Sequence, residues 1–368
     1  MSRTLYKQDI LEILYGATFL GAGGGGSLSF GLDMLAKLEK QGETIELELL
    51  EVDELEACDY AAMVAGLGSP VAMLEGEFGP DAVNAFKAFQ RGFAAEGKTV
   101  NYLYPGEMGG FNTFVPMMVA ILSDKDPAKR IKFVDTDGNG RAVPELNTTL
   151  TDLRGYPPSP IGLGNGTGDQ IIAYATDDKA AEVIARQLCM AYGQQIGFST
   201  WGLSRDEMKQ HSSVGCVTYA QKIGKVFLQL MADRSLNPVE ELSKVMEIRE
   251  ICRGRIEKID LKAEGGFDFG TTVILAENGD RYYIDFKNEN MLVRDEAGKV
   301  YLTAPDIICF MDTDTYLPLT NADTKEGMNI FLGISPVDEK WWLEDFKAYE
   351  CWKPILEAIG YTGEFVRY

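Results

Sequence analysis

The chain has 368 residues, 45% of them hydrophobic and 25% charged, with a formal net charge of −21. That length suits two domains of about 100–200 residues each, and no apolar run reaches the roughly 20 residues that cross a bilayer. The acidic excess argues against nucleic acid and anionic lipid as partners, because both reward clustered Lys and Arg.

In chain order, Ile10, Ile13, Leu14, Ala17 and Leu20 repeat at helical spacing, and Leu28, Leu32, Leu35 and Leu38 mark a second helix. Between them lies Gly21-Ala22-Gly23-Gly24-Gly25-Gly26-Ser27, with Ser27 placed as the N-cap of the second helix. The string matches G-x-G-x-x-G, but a dinucleotide fingerprint needs a strand before the glycines, and here a helix precedes them. Ordering glycine costs the most backbone entropy, so this run marks a close approach of the main chain to something. Gly23, Gly24, Gly25, Gly26 and Ser27 are therefore ligand-binding candidates, with backbone N–H groups to offer an anion or a polarised oxygen.

Beyond the glycines, Ile45–Val52, Tyr60–Leu67, Thr99–Leu103 and Ile131–Val134 read as strands. Helices are predicted from Pro80 and from about Asn112 through Ile121. Such alternation implies an α/β domain with a mostly parallel sheet. Gly155–Gly168 is dense in Pro and Gly and reads as a domain edge. Gln170–Ala175 follows as a strand, then a helix capped by Thr176 and a helical hairpin-like region to about Arg249. From Arg253, short alternating strands separated by Asn278-Gly279 and Ala297-Gly298 predict an antiparallel unit. The segment from Trp341 is expected to be helical and to dock back. The expected division is 1–165, an α/β domain with the glycine loop, and 166–368, an α+β domain that is β-rich from about 253 to 335.

The six cysteines, Cys58, Cys189, Cys216, Cys252, Cys309 and Cys351, form no C-x-x-C. A zinc knuckle or disulfide framework is not expected, and the cytoplasm is the expected location. His211, after the polar stretch Arg205–Gln210, is the single histidine. No histidine-based relay or H-E-x-x-H site can be built elsewhere, so a solvated or capping His211 is expected and acid–base work falls to carboxylates.

Ligands of parallel sheets sit beyond the carboxyl ends of the strands. Three loops occupy such positions: Gly66-Leu67-Gly68-Ser69-Pro70, Pro105–Asn112, and Asp135–Arg141 with Glu145 shortly after. They supply Glu107, Asp135, Asp137 and Glu145 as candidate catalytic carboxylates, and Ser69, Asn112, Asn139 and Arg141 as candidate ligand contacts. The alternation Asp135, Asp137, Asn139 resembles a calcium loop, but Leu146 occupies the twelfth position, Pro144 intrudes and a strand precedes it. No cofactor is expected, and a divalent metal on these carboxylates stays open. The structural alternative is that Asp135 only caps a turn and Arg141 only pairs with Glu145, but three such loops at strand ends favour a site. Asp285–Asn290, between two predicted strands, reads equally as a hairpin corner or a site.

Taken together, GAGGGGS, GLGSP, PGEMGGFNTFVP, VDTDGNGRAVPEL, RGRIEKIDLKAEGGFDFGTTVI, YIDFKNENMLV and PDIICFMDTDTYLPLT resemble the S-methyl thiohydantoin desulfurase family, in order from about Leu11 to Leu332. Ser27 stands where that family often has Asp. The resemblance implies hydrolysis of a small cyclic substrate at the sulfur-bearing ring carbon, with methanethiol released and a hydantoin left. It implies Asp137 or Glu107 as base, Glu145 or Asp135 as partner of the cationic ring nitrogen, and Asn112 and Asn139 for orientation. It also implies a hydantoinase- or oxoprolinase-like protein partner. The competing readings are another hydantoin-type hydrolase, an accessory or ligand-binding subunit of such a system, and a nucleotide-binding enzyme. The last lacks the Lys that follows the glycines of a phosphate-binding loop. A homo-oligomer is compatible with all of them.

Overall fold

The computed structural model describes residues 2–68, 78–153, 155–264, 267–344 and 347–368. Among them, β1 (Arg3–Tyr6), β2 (Glu46–Leu50), β3 (Tyr60–Gly68), β4 (Val100–Pro105), β5 (Lys132–Val134), β7 (Ile161–Gly164), β8 (Gln170–Ala173) and β9 (Gln195–Ser204) form one sheet in the order β1-β2-β5-β4-β3-β9-β7-β8. The inner run β2-β5-β4-β3 is parallel. Antiparallel strands flank it on both sides. The helices are α1 (Lys7–Leu20), α2 (Leu28–Lys40), α3 (Pro80–Ala95), α4 (Phe114–Ser123), α5 (Asp178–Ala191), α6 (Arg205–His211) and α7 (Cys216–Ala232), with shorter turns between some of them.

One face of this sheet packs Leu49, Ala62, Val64, Leu103 and Phe133 against α1 to α4, through Leu35, Phe86, Phe89 and Phe114. The other face packs Met63, Tyr104 and Phe198 against Ala181, Ala185 and Cys189 of α5. Both faces are covered, as a parallel core requires.

Two expectations are corrected here. Residues 195–204 are not part of a helical hairpin but form β9, which lies against β3. This strand is buried almost throughout, so the period of two that betrays a half-exposed strand is absent. The cap of α5 is Asp177, which accepts the Ala180 N–H at 2.8 Å, where Thr176 was expected. The proline- and glycine-rich stretch before α5 also carries β7, an inner strand.

The second sheet contains β11 (Arg249–Glu264), β12 (Phe267–Ala276), β13 (Arg281–Lys287), β14 (Glu289–Asp295), β15 (Val300–Thr303), β16 (Ile307–Asp312), β17 (Pro318–Leu319) and β18 (Asn329–Ser335). It is antiparallel, in the order β15-β14-β13-β12-β11-β18-β16-β17. The sheet curls enough for Asn290 of β14 to donate its amide to the Ile308 carbonyl of β16 at 2.9 Å. A small pair, β6 (Thr136–Asp137) with β10 (Ser213–Val214), ties the end of β5 to the start of α7.

Helices α1 and α7 lie together, and their residues Ala17, Leu20, Ile223 and Phe227 share a core with Ile307, Cys309 and Phe331 of the second sheet. The C-terminal segment docks on the same core through Trp341 and Trp352, both fully buried. The two helices touch backbone to backbone. A Cβ on Gly16 would sit 2.6 Å from the Ala220 carbonyl carbon, and one on Gly224 2.6 Å from that of Glu12. Overpacking a tight contact costs about 1–3 kcal/mol, and here the obstacle is main chain, which yields least. Gly16→Ala and Gly224→Ala are each expected to lower the unfolding free energy by at least about 1 kcal/mol, read as a lower urea midpoint; unchanged midpoints would contradict this packing.

Candidate functional site

The glycine run leaves α1 through Gly21 and turns by adopting left-handed backbone at Ala22, Gly23, Gly25 and Gly26. It is gripped from two sides. From the first sheet's loops, the N–H groups of Asn112 and Gly110 donate to the carbonyls of Gly25 and Gly26 at 3.0 and 3.1 Å. From the second sheet, the N–H groups of Asn290 and Asn321 donate to the carbonyls of Ala22 and Gly23, both at 2.8 Å. Side chains would not fit. A Cβ on Gly23 would lie 2.7 Å from Asn321 Nδ2, one on Gly24 2.6 Å from Glu289 Cγ, and one on Gly25 2.6 Å from Gly109 Cα. The clearance of these glycines is what lets two loop systems meet across one strand of chain. Ser27 stands at the N-cap position of α2, but its hydroxyl bonds Asp323 Oδ1 at 2.7 Å and the Ser29 hydroxyl at 2.9 Å instead of a helix N–H.

Glu107 stands next to this crossing. Its Oε1 accepts from Asn112 Nδ2 at 2.6 Å and its Oε2 from the Val143 N–H at 2.9 Å. Asn112 Oδ1 in turn accepts from the Gly66 N–H at 3.2 Å, which brings the end of β3 into the same group. Burial pushes the Glu107 carboxyl up to about 7, against the pull of those two donors and of the Arg141 guanidinium. Glu289, only 4% exposed, is raised well above the usual carboxylate range by burial and by the charge of Glu107, and Arg141 and Lys287 oppose the rise. Two carboxyls therefore face one guanidinium in an enclosed place.

Arg141 has no exposed surface. Its Nη1 donates to the carbonyls of Pro305 and Asp306 at 2.6 and 3.0 Å, its Nη2 to that of Asn290 at 3.4 Å, and its Nε to that of Ala142 at 2.8 Å. Its guanidinium carbon lies 4.8 Å from the Trp352 ring centre. Burial lowers it to about 10, which leaves it charged at neutral pH. It does not pair with Glu145. That carboxylate is ion-paired with Lys287, whose amine also lies 4.2 Å from the Phe267 ring.

The loop after β5 is divided among different tasks. Asp135 accepts from the N–H of Thr218 at 2.9 Å and from its hydroxyl, so its carboxylate sits at the N-terminus of α7. Asp137 is fully buried and its Oδ1 accepts from the N–H groups of Asn139 and Gly140 at 2.9 and 2.6 Å. Asp137 Oδ2 has no hydrogen-bond partner, and burial raises this carboxyl well above its ordinary range. Asn139 donates to the Gly106 carbonyl and accepts from Leu150 N–H, at 2.8 and 2.9 Å. The alternating Asp-Asp-Asn pattern is thus spent on a cap and a turn. Among the described residues no group of three or more His, Cys, Asp or Glu side chains is placed to hold a metal.

The structure therefore brings Gly23 to Gly26, Glu107, Asn112 and Arg141 to one place, with Asn139 behind it. Asp135 and Glu145 have their contacts with Thr218 and Lys287, and Ser69 lies outside the described residues. His211 is buried at the end of α6, not solvated. Lys287 and Glu289 lie in the Asp285–Asn290 stretch that reads equally as a corner or a site, without being named candidates, and residue patterns missed Asn321. The signal for the first two was Lys287-Asn288-Glu289-Asn290, consecutive polar residues amid alternating strands; in the structure Asn288 turns there with a φ of 54°. Asn321 carried none. A surface hollow of about 500 Å³, lined by Asp81, Asn165, Thr167 and Gln195 among others, shares no residue with this group.

Fold and site define an α/β protein whose acidic, arginine-balanced centre lies where a glycine loop is clasped between two sheets. The chain belongs to the S-Me-THD-like family: residues 8–175 match its N-terminal domain and residues 176–365 its C-terminal domain. A crystal structure of a protein from Chromobacterium violaceum has the same fold, with a TM-score of 0.82 at 22% identity over 99% of both chains. No curated protein matches the chain. No described helix is long and apolar enough to cross a membrane.

A carboxyl raised on folding binds its proton more tightly in the native state, so stability falls as pH rises through the window between the two values. For Glu107 that window runs from the ordinary 4.5 to about 7. Unfolding free energy, measured by urea at several pH values, is expected to fall across this window by up to about 1.4 kcal/mol per pH unit from this group. Glu107→Gln is expected to flatten that part of the slope. An unchanged slope would place the titration elsewhere.

Proposed function

We propose that the protein is a hydrolase of a small cyclic amide or thiohydantoin ring, with Glu107 as the general base. The observation that carries this reading is the Glu107 carboxyl, brought to about 7 by burial and aimed by Asn112 and the Val143 N–H beside the glycine run. A base works best when its pKa lies near the operating pH, and such help contributes about 10²–10⁴-fold. The family resemblance supplies the ring, an S-methyl thiohydantoin. Its sulfur-bearing carbon is an isothiourea-type centre, most electrophilic when the neighbouring nitrogen is protonated.

In the proposed step Glu107 takes a proton from water as the water oxygen bonds to that carbon. The carbon–sulfur bond then breaks with its electron pair on sulfur, Glu107 returns that proton to the leaving thiolate, and the second water proton leaves the new oxygen as the carbonyl forms, leaving the ring nitrogen as N–H. Water and the S-methyl ring are consumed, methanethiol and the hydantoin are formed, and no oxidant or reductant is needed. Arg141 keeps the pair Glu107–Glu289 from both going neutral, since its charge favours ionised carboxylates.

Methanethiol release from S-methyl thiohydantoins is the assay. Wild type is expected to show kcat/KM rising with pH through about 7, following deprotonation of Glu107. Glu107→Gln should lose about 10²–10⁴-fold and that acidic limb together. Full activity in Glu107→Gln would remove it as base. Binding of such rings without turnover would favour an accessory, ligand-binding subunit working with a hydantoinase- or oxoprolinase-like partner.

A further inference from the structure

Helix α3 starts directly on the first sheet, and glycines in two strands make that possible. A Cβ on Gly164 of β7 would lie 2.6 Å from the Asn84 carbonyl carbon, and one on Gly197 of β9 would lie 2.6 Å from the Ala82 nitrogen. Asp81, in the first turn of α3, is thereby pressed between helix and sheet and left only 2% exposed. An acid in a first turn suits the helix dipole. That accounts for the residue but not for its Oδ2, which has no hydrogen-bond partner. This oxygen faces Gly166, where a Cβ would lie 3.3 Å from it. Asp81 and Gly166 both line the surface hollow of about 500 Å³.

The adjoining wall of the hollow is the turn between β7 and β8, and its own hydrogen bonds fix it. Asn165 Oδ1 accepts from the N–H groups of Thr167, Gly168 and Asp169 at 3.1, 3.0 and 2.9 Å. The Asn165 carbonyl accepts from Asn84 Nδ2 at 2.9 Å, which ties the turn to α3. Asn165 Nδ2 donates to Asp169 Oδ2 at 2.9 Å and so holds that carboxylate at the exposed rim. Tyr192 and Gln195 also line the hollow, and among its described lining residues there is no Lys or Arg. Its volume falls in the range of about 300–1,000 Å³ found for small-molecule sites. Burial raises the Asp81 carboxyl, against the pull of Gln195 and of nearby N–H groups. Asp81 therefore counts here as an acceptor, which a carboxyl offers in either protonation state, and the charge belongs to Asp169.

We infer that this hollow is a second ligand site, for a small primary amine whose N–H bonds Asp81 Oδ2, whose charge answers Asp169 and whose apolar body lies along Tyr192. A buried acceptor without a partner is satisfied by a donor. An anion would bring no donor and would meet Asp169 without a cation to offset it. The site stands apart from the hydrolase reading, since none of these residues belongs to the Glu107 group.

The test is a ligand-observed NMR titration of the full chain with three probes of one shape: benzylamine, benzyl alcohol and benzoate. Wild type is expected to bind benzylamine most tightly, benzyl alcohol about threefold more weakly, as an exposed charge pair allows, and benzoate not measurably. In Asp81→Asn the amide oxygen keeps the existing donors and its NH₂ group takes the place of Oδ2. That variant should weaken benzylamine and benzyl alcohol alike, by about tenfold. Asp169→Asn, at an exposed position, should bring benzylamine down to benzyl alcohol and leave the alcohol unchanged, a selective loss that a merely structural role does not produce. It decides the matter if Asp81→Asn fails to fold. Glu107→Gln should leave all affinities within about threefold. Benzylamine affinity unchanged in Asp169→Asn, benzoate binding as tightly as benzylamine, or no binding of any probe would overturn the inference. So would amine binding that is lost in Glu107→Gln, and none of these results bears on methanethiol release.

Discussion

The structure depends on the buried guanidinium of Arg141. It projects from the loop after β5 in the first sheet and donates to Pro305, Asp306 and Asn290 carbonyls that belong to the second. A buried charge is tolerable only when its donors are satisfied and its charge is answered. Here main-chain oxygens satisfy the donors, and Glu107, Glu289 and Asp306 answer the charge. Removing the guanidinium would strand carbonyls on one side and acidic groups on the other. The same contact that joins the two halves therefore also sets the electrostatics of the site. Stability and chemistry are coupled through a single side chain.

From that constraint the role of the glycine run follows. Two loop systems can close on Arg141 only if the segment between them is thin, and the positions of Gly23, Gly24 and Gly25 leave no room for a side chain. Glu107 and Glu289 then end up close enough for the charge of the first to act on the second. The charge of Glu107 raises Glu289. Burial does most of the work, because desolvation is the largest influence on both. Net charge tells little of this: −21 sums surface and interior alike.

Much of the frame was legible in the residues. The α1–glycine–α2 arrangement, the parallel strands and the change to an antiparallel unit near Arg253 each had a period or a turn signal. So did the loops at strand ends that carry Glu107 and Arg141. What stayed hidden was tertiary. Asp135 and Asp137 looked like one constellation because they are neighbours in sequence, yet the Asp135 carboxylate went to the start of α7 while Asp137 folded onto its own turn. Arg141 looked like a partner for Glu145, four residues away, and instead crossed to carbonyls more than 140 residues distant. Glu289 could not be paired with Glu107 from sequence, since nothing local in β14 reports what the sheet will face. β9 was lost for a similar reason, its two buried faces erasing the alternation that marks a strand.

The central claim is that Glu107 exchanges its proton near neutrality because burial raises its carboxyl against the pull of Asn112, the Val143 N–H and Arg141. The most direct measurement is a carbon-13 NMR titration of protein labelled at the glutamate side-chain carboxyl carbons, with Glu107→Gln used to assign the resonance. The structure predicts a Glu107 midpoint near 7. A midpoint at or below the ordinary 4.5 would contradict it.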